Sequence, residues 1–233
     1  MSSDDRLAVV TGTSSGIGLA IADALLALGW TVRGLDNAAP KLQHERFVAV
    51  DVDLRDGDAV DEAAHEANGA SAFIHAAGLL RTARAGEFSA SDGAVMWRVH
   101  VDAANRLANS LVPAMKRARH GRIVLIGSRV AAGIAGRSQY AATKAALVSM
   151  ARSWAAEVVA EGITVNVVSP AATRTAMSDD PARARTAPRV PPIGRLIEPA
   201  EIASMVAYLL SPAAAAITGQ DIQICGGASL ELA

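Results

Sequence analysis

Tyr140 and Lys144 stand four residues apart in a stretch of helical period, so their side chains share one helix face. Ser128 ends the apolar run before them. A hydroxyl, a phenol and an amine brought together suit proton transfer to and from an oxygen atom. Tyrosine is a poor base at neutral pH, with a reference pKa of about 10. A nearby ammonium stabilises tyrosinate and lowers that value. A Tyr-Lys pair at helical spacing is common by chance, so the elements that position it must carry the argument.

The first of these elements is Thr11-Gly12-Thr13-Ser14-Ser15-Gly16-Ile17-Gly18. It follows the apolar run Leu7–Val10 and precedes Ile17, Ile21, Ala24, Leu25 and Leu28 at helical spacing. Strand, glycine-rich turn and helix open a dinucleotide-binding βαβ unit. Gly12 turns the chain, Gly16 admits a pyrophosphate to the backbone, and Gly18 packs the helix on the strand. The helix N-terminus offers N–H groups and a positive dipole end to phosphates, and Ser14 and Ser15 add hydroxyl donors. Asp36 ends the next run, Thr31–Leu35, about twenty positions beyond the turn, where a ribose 2′-hydroxyl is met. A carboxylate there accepts from the diol and repels a 2′-phosphate. Neither Ser15 nor Asn37 supplies the opposing positive charge.

Further apolar runs, Phe47–Val52, Ala72–His75, Arg122–Ile126, Ile163–Val168 and Gln220–Ile224, read as strands. Helical patterns lie between them, including one from about Ser91 to Ala118 that Gly121 should end, and one from Tyr140 to about Glu161. Alternating strands and helices predict an α/β fold, a doubly wound sheet with ligand outside the strands' carboxyl ends. Residues 1–233 read as one dinucleotide-binding catalytic domain. The Pro- and Arg-rich stretch 179–195 reads as a mobile substrate loop.

Composition narrows the function classes. Of 233 residues 51% are hydrophobic, enough for a core on both sheet faces, and the net charge of -1 gives no general attraction to nucleic acid or acidic membranes. A lone cysteine, Cys225, excludes an internal disulfide. No Cys/His cluster has metal-ligand spacing. The polar start, Met1 to Arg6, lacks a signal-peptide apolar region, and no apolar run approaches membrane-spanning length. A cytoplasmic protein without metal, membrane or nucleic-acid partners is expected.

The glycine turn, Ala76-Ala77-Gly78, Ser128 and Tyr140-Ala141-Ala142-Thr143-Lys144 stand in the order, and near the spacings, of the short-chain dehydrogenase/reductase family. Asn166–Pro170, Gly194-Arg195, Ile217–Gln220 and Gly226-Gly227 extend the resemblance over essentially the whole chain. The chain resembles the short, single-domain branch. That resemblance implies a Rossmann-type, mostly parallel sheet of about seven strands, NAD(P)-dependent oxidoreductase activity, and a homo-oligomer, most often a tetramer. It implies that Tyr140 is the general acid/base, that Lys144 lowers its pKa and binds the nicotinamide ribose, and that Ser128 holds the substrate oxygen. Asp36 matches the NAD-preferring acidic position. Asp53-Leu54 resembles the adenine-contacting pair, with Asp51-Val52 as runner-up. Pro170, Thr173 and Thr175 fall on the cofactor stretch after the sixth strand, and Thr175 resembles the residue at the carboxamide.

One departure touches the chemistry. His100 stands where the family usually has a catalytic-site Asn that joins a water to the lysine. A neutral imidazole able to accept and donate predicts a substitute relay, with an acidic limb in the rate profile near the histidine reference pKa of about 6.5. His75, Ala171 and Cys225 replace other usual residues and read as structural. The expected activity is NAD-dependent hydride transfer on a secondary alcohol/ketone of a small hydroxylated or cyclic substrate, with NADP less favoured. Arg81, Arg84, Arg129, Arg137 and Arg174 flank the carboxyl-end loops. Two of them would suit an anionic substrate; solvated loop arginines or subunit contacts are the other reading. An NADPH-dependent 3-oxoacyl reductase and a non-catalytic NAD-binding sensor are the alternatives.

Overall fold

The computed structural model describes residues 6–175 and 189–230. Seven strands form one sheet in the order β3-β2-β1-β4-β5-β6-β7: β1 Leu7–Thr11, β2 Thr31–Asp36, β3 Phe47–Asp51, β4 Ala72–His75, β5 Gly121–Ile126, β6 Ile163–Pro170 and β7 Asp221–Ile224. All six pairings are parallel, so the sheet must be covered on both faces.

The strands alternate accordingly. Val9 and Phe73 face the core built with Leu107, Leu111, Met115 and Leu147, while Ala8, Val10 and Ile74 face Ile21, Leu25, Ile202 and Val206. The first face carries α2 (Gly57–Glu66), α4 (Ala103–Ala118) and α5 (Ser138–Val158); the second carries α1 (Gly16–Ala27) and α6 (Pro199–Leu210). Each fully buried Leu, Ile or Phe contributes about 1.5–3 kcal/mol by leaving water. Chain reversal of strand order between β1 and β4 opens the crevice at their carboxyl ends, where a doubly wound sheet binds its ligand.

Two local departures from the sequence reading have physical causes. The segment 91–118 is interrupted: α3 (Ala90–Trp97) passes into a π-helical turn at Arg98–Asp102 before α4. The wider turn brings in His100, which is fully buried. The helix ends at Ala118 as expected, but Arg119 and not Gly121 is the residue that ends it. Arg119 takes the left-handed conformation (φ 53°), and its guanidinium bonds Glu161 and the Ala160 carbonyl. Gly121 instead begins β5, where a Cβ would lie 2.7 Å from the Met115 sulfur. Of the 179–195 stretch, residues 179–188 lie outside the described residues. In the remainder, Ile193 N–H bonds the Gly226 carbonyl, which ties the approach to α6 to the end of the sheet. Among the described residues no helix is long and apolar enough to cross a membrane.

Candidate active site

A cleft of about 800 Å³ runs along the carboxyl ends of the strands. At one end it is lined by Gly12, Ser15, Gly16, Ile17, Gly18, Asp36, Asp53 and Leu54. Ala76, Ala77 and Gly78 form its floor. Ser128, Tyr140, Lys144, Pro170, Thr173 and Thr175 line the other end. Every cofactor residue read from the sequence reaches this cleft except Ser14, which is buried and turned away, its hydroxyl donating to the Ala38 carbonyl at 2.9 Å. Val52 lines the cleft beside Asp53; Asp51 does not.

The turn at the end of β1 is built for close approach. Gly12 (φ +77°) leaves no room for a side chain: a Cβ would lie 2.8 Å from Ala77 Cα. At Gly18 it would meet the Gly12 carbonyl oxygen at 2.1 Å. Gly16 (φ +54°) faces Thr175, whose methyl a Cβ would crowd at 3.1 Å. The α1 N-cap, Ser15, is extended and makes no side-chain capping bond, and the first turn holds no acid. First-turn N–H groups are thereby left for an anion. Asp36 receives the Ser14 N–H at 2.8 Å and the Ala38 N–H at 2.9 Å, one on each oxygen. Each oxygen keeps a lone pair for a ribose hydroxyl. These residues fit a nicotinamide dinucleotide.

Thr11, which the sequence reading placed in the turn without a role, is the hub beneath it. Its hydroxyl oxygen accepts the N–H groups of Ala76 and Ala77, each at 3.0 Å, and lies 3.0 Å from His75 Nδ1. With both lone pairs used, the Thr11 hydroxyl donates to His75, whose proton is then on Nε2. His75 Nε2 is buried and makes no hydrogen bond of full geometry. Burial, then the Lys144 charge, pushes the His75 pKa down to about 3, opposed by the carbonyls of Val99 and His100.

Lys144 is buried, and its ammonium donates to the Ile126 carbonyl at 2.8 Å. Burial lowers its pKa to about 7. Its Nζ lies 5.8 Å from the centre of the Tyr140 ring. The His100 ring meets Tyr140 edge-on, with centroids 5.6 Å apart. Ser128 Oγ accepts the Val130 N–H at 3.1 Å, and its own O–H is not used in any described hydrogen bond.

His100 does not sit as the sequence suggested. Nε2 accepts the Leu79 N–H at 3.0 Å, and Nδ1 lies 2.8 Å from Thr143 Oγ1. Thr143 gives its proton to the Tyr140 carbonyl at 2.8 Å, so Nδ1–H donates to Thr143. Both ring nitrogens are engaged by protein, and none is left to hold a water against Lys144. Burial, followed by the charges of Lys144 and His75, holds the His100 pKa well below its usual range. The imidazole is a neutral brace between the turn after β4, the π turn and α5. Thr143, buried between the two site residues, completes that brace; its place between Tyr140 and Lys144 was the available signal.

Comparison with known proteins agrees with this architecture. The family model described as Enoyl-(Acyl carrier protein) reductase matches residues 12–229. The chain is 34% identical to a 3-oxoacyl-(acyl-carrier-protein) reductase of Vibrio cholerae, over 97% of this chain and 98% of that protein. It is equally 34% identical to a 2,3-dihydro-2,3-dihydroxybenzoate dehydrogenase of Escherichia coli, over 95% and 96%. Among solved structures, a short chain dehydrogenase/reductase family protein superposes with a TM-score of 0.91 at 32% identity, covering 99% of this chain and 100% of that one. The aldohexose dehydrogenase of Thermoplasma acidophilum superposes at 0.89 with 25% identity, covering 98% and 95%. With the match spanning nearly its full length, the chain belongs to the short-chain dehydrogenase/reductase family, nicotinamide-dependent oxidoreductases that act on CH–OH groups of small molecules.

Proposed function

We propose that this protein is an NAD-dependent dehydrogenase or reductase of a secondary alcohol/ketone pair in a small hydroxylated or cyclic substrate. The observation that carries the reading is the common cleft: Ser128, Tyr140 and Lys144 line its one end while Asp36 lines the other. The bound nicotinamide supplies or takes the hydride. Tyr140 moves the hydroxyl proton, and the Lys144 ammonium beside it favours the phenolate. Ser128 Oγ, anchored through Val130, directs its O–H at the substrate oxygen and stabilises charge that develops there. Asp36 accepts from the adenosine ribose and disfavours a 2′-phosphate. Asp53 and Leu54, which line the same end of the cleft, would hold the adenine. Pro170, Thr173 and Thr175 would hold the nicotinamide side. His100 is a positioning residue in this scheme, acting through Leu79 and Thr143.

A second reading, an NADPH-dependent 3-oxoacyl reductase, is favoured by the names of several relatives. The two separate on coenzyme preference and on substrate. A panel of cyclic and acyclic alcohols and ketones, followed by nicotinamide absorbance with NAD and with NADP, tests both. Turnover of small alcohols with NAD supports the first; turnover confined to 3-oxoacyl thioesters with NADPH supports the second. We also infer a cytoplasmic homo-oligomer, a tetramer by analogy with the family, which sedimentation at micromolar concentration checks.

A further inference from the structure

Charge is distributed unevenly along the cleft. The acids that line it, Asp36 and Asp53, stand at the adenosine end, and Asp53 is already held by Arg55. Beyond Tyr140 and Ser128 the described lining residues include no acid and several arginines. Arg129 directly follows Ser128, Arg137 precedes Tyr140 by three residues, and Arg81 follows Gly78 by three. All three line the cleft, and Arg129 and Arg137 are half-buried. Ala83 N–H bonds the Gly136 carbonyl at 3.1 Å, so the loops that carry Arg81 and Arg137 are stitched together.

Two of these arginines, Arg129 and Arg81, also differ from the others near the strand ends. Arg174 is spent on Glu198 at 2.9 Å, and Arg84 does not line the cleft. Arg129 has no ion-pair partner among the described residues. Arg81 approaches Asp92 only at 3.7 Å, with both side chains about half exposed, a pair that water screens. The start of α5 adds to the same field. Its N-cap is Arg137, no side chain caps it, and no acid lies in its first turn. The half-buried Arg129 guanidinium, next to Ser128, costs desolvation unless an anion meets it.

We propose that this end of the cleft is an anion subsite, in which Arg129 and Arg137, with Arg81 at the rim, hold a carboxylate or phosphate of the substrate. The proposal rests on the dehydrogenase reading and narrows its substrate class to anionic alcohols or ketones. Both anions match the paired N–H groups of a guanidinium. The apolar lining beside the arginines, Val95, Val130 and Ile134, suits a small carbon skeleton between the anion and the reacting carbon.

Calorimetric titration tests the subsite without turnover. Benzoate, phenyl phosphate and neutral methyl benzoate are titrated into the protein saturated with whichever of NAD and NADP binds more tightly. One of the two anions should bind at least about tenfold more tightly than the ester, as a bidentate contact predicts. The tighter of the two names the anion. That ratio should collapse toward one in the Arg129→Gln, Arg137→Gln double variant, with folding checked by circular dichroism. In the wild type, raising ionic strength should weaken the anion and leave the ester unchanged. Equal binding of anions and ester, or a ratio that survives the double substitution, overturns the subsite. Absence of turnover over the whole alcohol and ketone panel overturns the dehydrogenase reading instead, and the titration still decides the anion.

Discussion

The Leu79 N–H donates to His100 Nε2 at 3.0 Å, fastening the turn after β4 to the π turn that carries the histidine. The opposite ring nitrogen reaches Thr143 on α5. One imidazole therefore ties together the backbone that floors the cofactor cleft and the helix that bears Tyr140 and Lys144. Packing around it is close: a Cβ on Gly78 would lie 3.2 Å from the same Nε2 and 3.7 Å from Lys144 Nζ.

That geometry predicts how His100 variants behave. His100→Leu strands the Leu79 N–H and Thr143, at about 1–3 kcal/mol for each buried group left unpaired. It should lower kcat and stability together. His100→Asn keeps an acceptor and a donor and should recover part of both. Because the imidazole stays neutral well below its usual pKa, no limb of the rate profile near pH 6.5 should belong to it. A limb near 7, where Lys144 titrates in the free protein, should persist in His100→Asn. The check is kcat/KM against pH for the three proteins; a limb that disappears with His100→Asn refutes the brace.

Tyr140→Phe should remove the proton donor while keeping the ring that packs edge-on against His100. Turnover should fall by about 10²–10⁴-fold, with little change in cofactor affinity. Single-turnover rates and cofactor fluorescence titration measure the two separately. Wild-type turnover in a folded Tyr140→Phe protein would remove Tyr140 from the mechanism.

Asp36 should set coenzyme choice. Its carboxylate is fixed by Ser14 and Ala38, so it cannot swing away from a 2′-phosphate at low cost. The nearest strand arginine, Arg33, is paired with Glu66 and offers no counter-charge. NAD should be preferred to NADP in kcat/KM, and Asp36→Ala should erode that preference mainly through the KM for NADP. An NADP preference in the wild type would reverse the assignment.

Much of this was legible in the sequence because the signals were periodic or positional. The continuous apolar runs of β1 and β4, the glycine turn, and the four-residue step from Tyr140 to Lys144 each predict a buried strand, a conformation or a shared face directly. The π turn at Arg98–Asp102 was not legible, since the buried residues Met96, Val99, Ala103 and Leu107 keep ordinary helical steps across it. The role of His100 was misplaced for the same reason: its family register was readable, but the partners of its nitrogens depend on that turn and on Thr143. Ser14 reads as a phosphate donor by position, yet the Ala38 carbonyl takes its hydroxyl and the Asp36 carboxylate its N–H. Thr11 opens the motif, but its position assigns it no role, and its three contacts exist only once β1 and β4 are paired.

The last prediction concerns pH and stability, and it isolates His75. This ring is fully buried, donated to by Thr11, and held to a pKa of about 3, first by burial and then by Lys144. In the unfolded chain its pKa is about 6.5. Between those values the unfolded state binds a proton at this position and the native state does not. Unfolding is then favoured as pH falls, so the stabilisation that the neutral ring permits above about 6.5 is lost progressively toward 3. His100 acts with the same sign, whereas the Glu201 carboxyl, lowered to about 2 by Arg195, titrates at lower pH. His75→Asn removes one of these protons while keeping a group that can accept from Thr11. Its stability relative to wild type should therefore improve as pH is lowered from 7 to 5, approaching about 1.4 kcal/mol per pH unit below 6. Urea unfolding of both proteins at several pH values in that range gives the slope. Parallel curves for the two proteins would mean that the ring at position 75 does take up its proton in the native state.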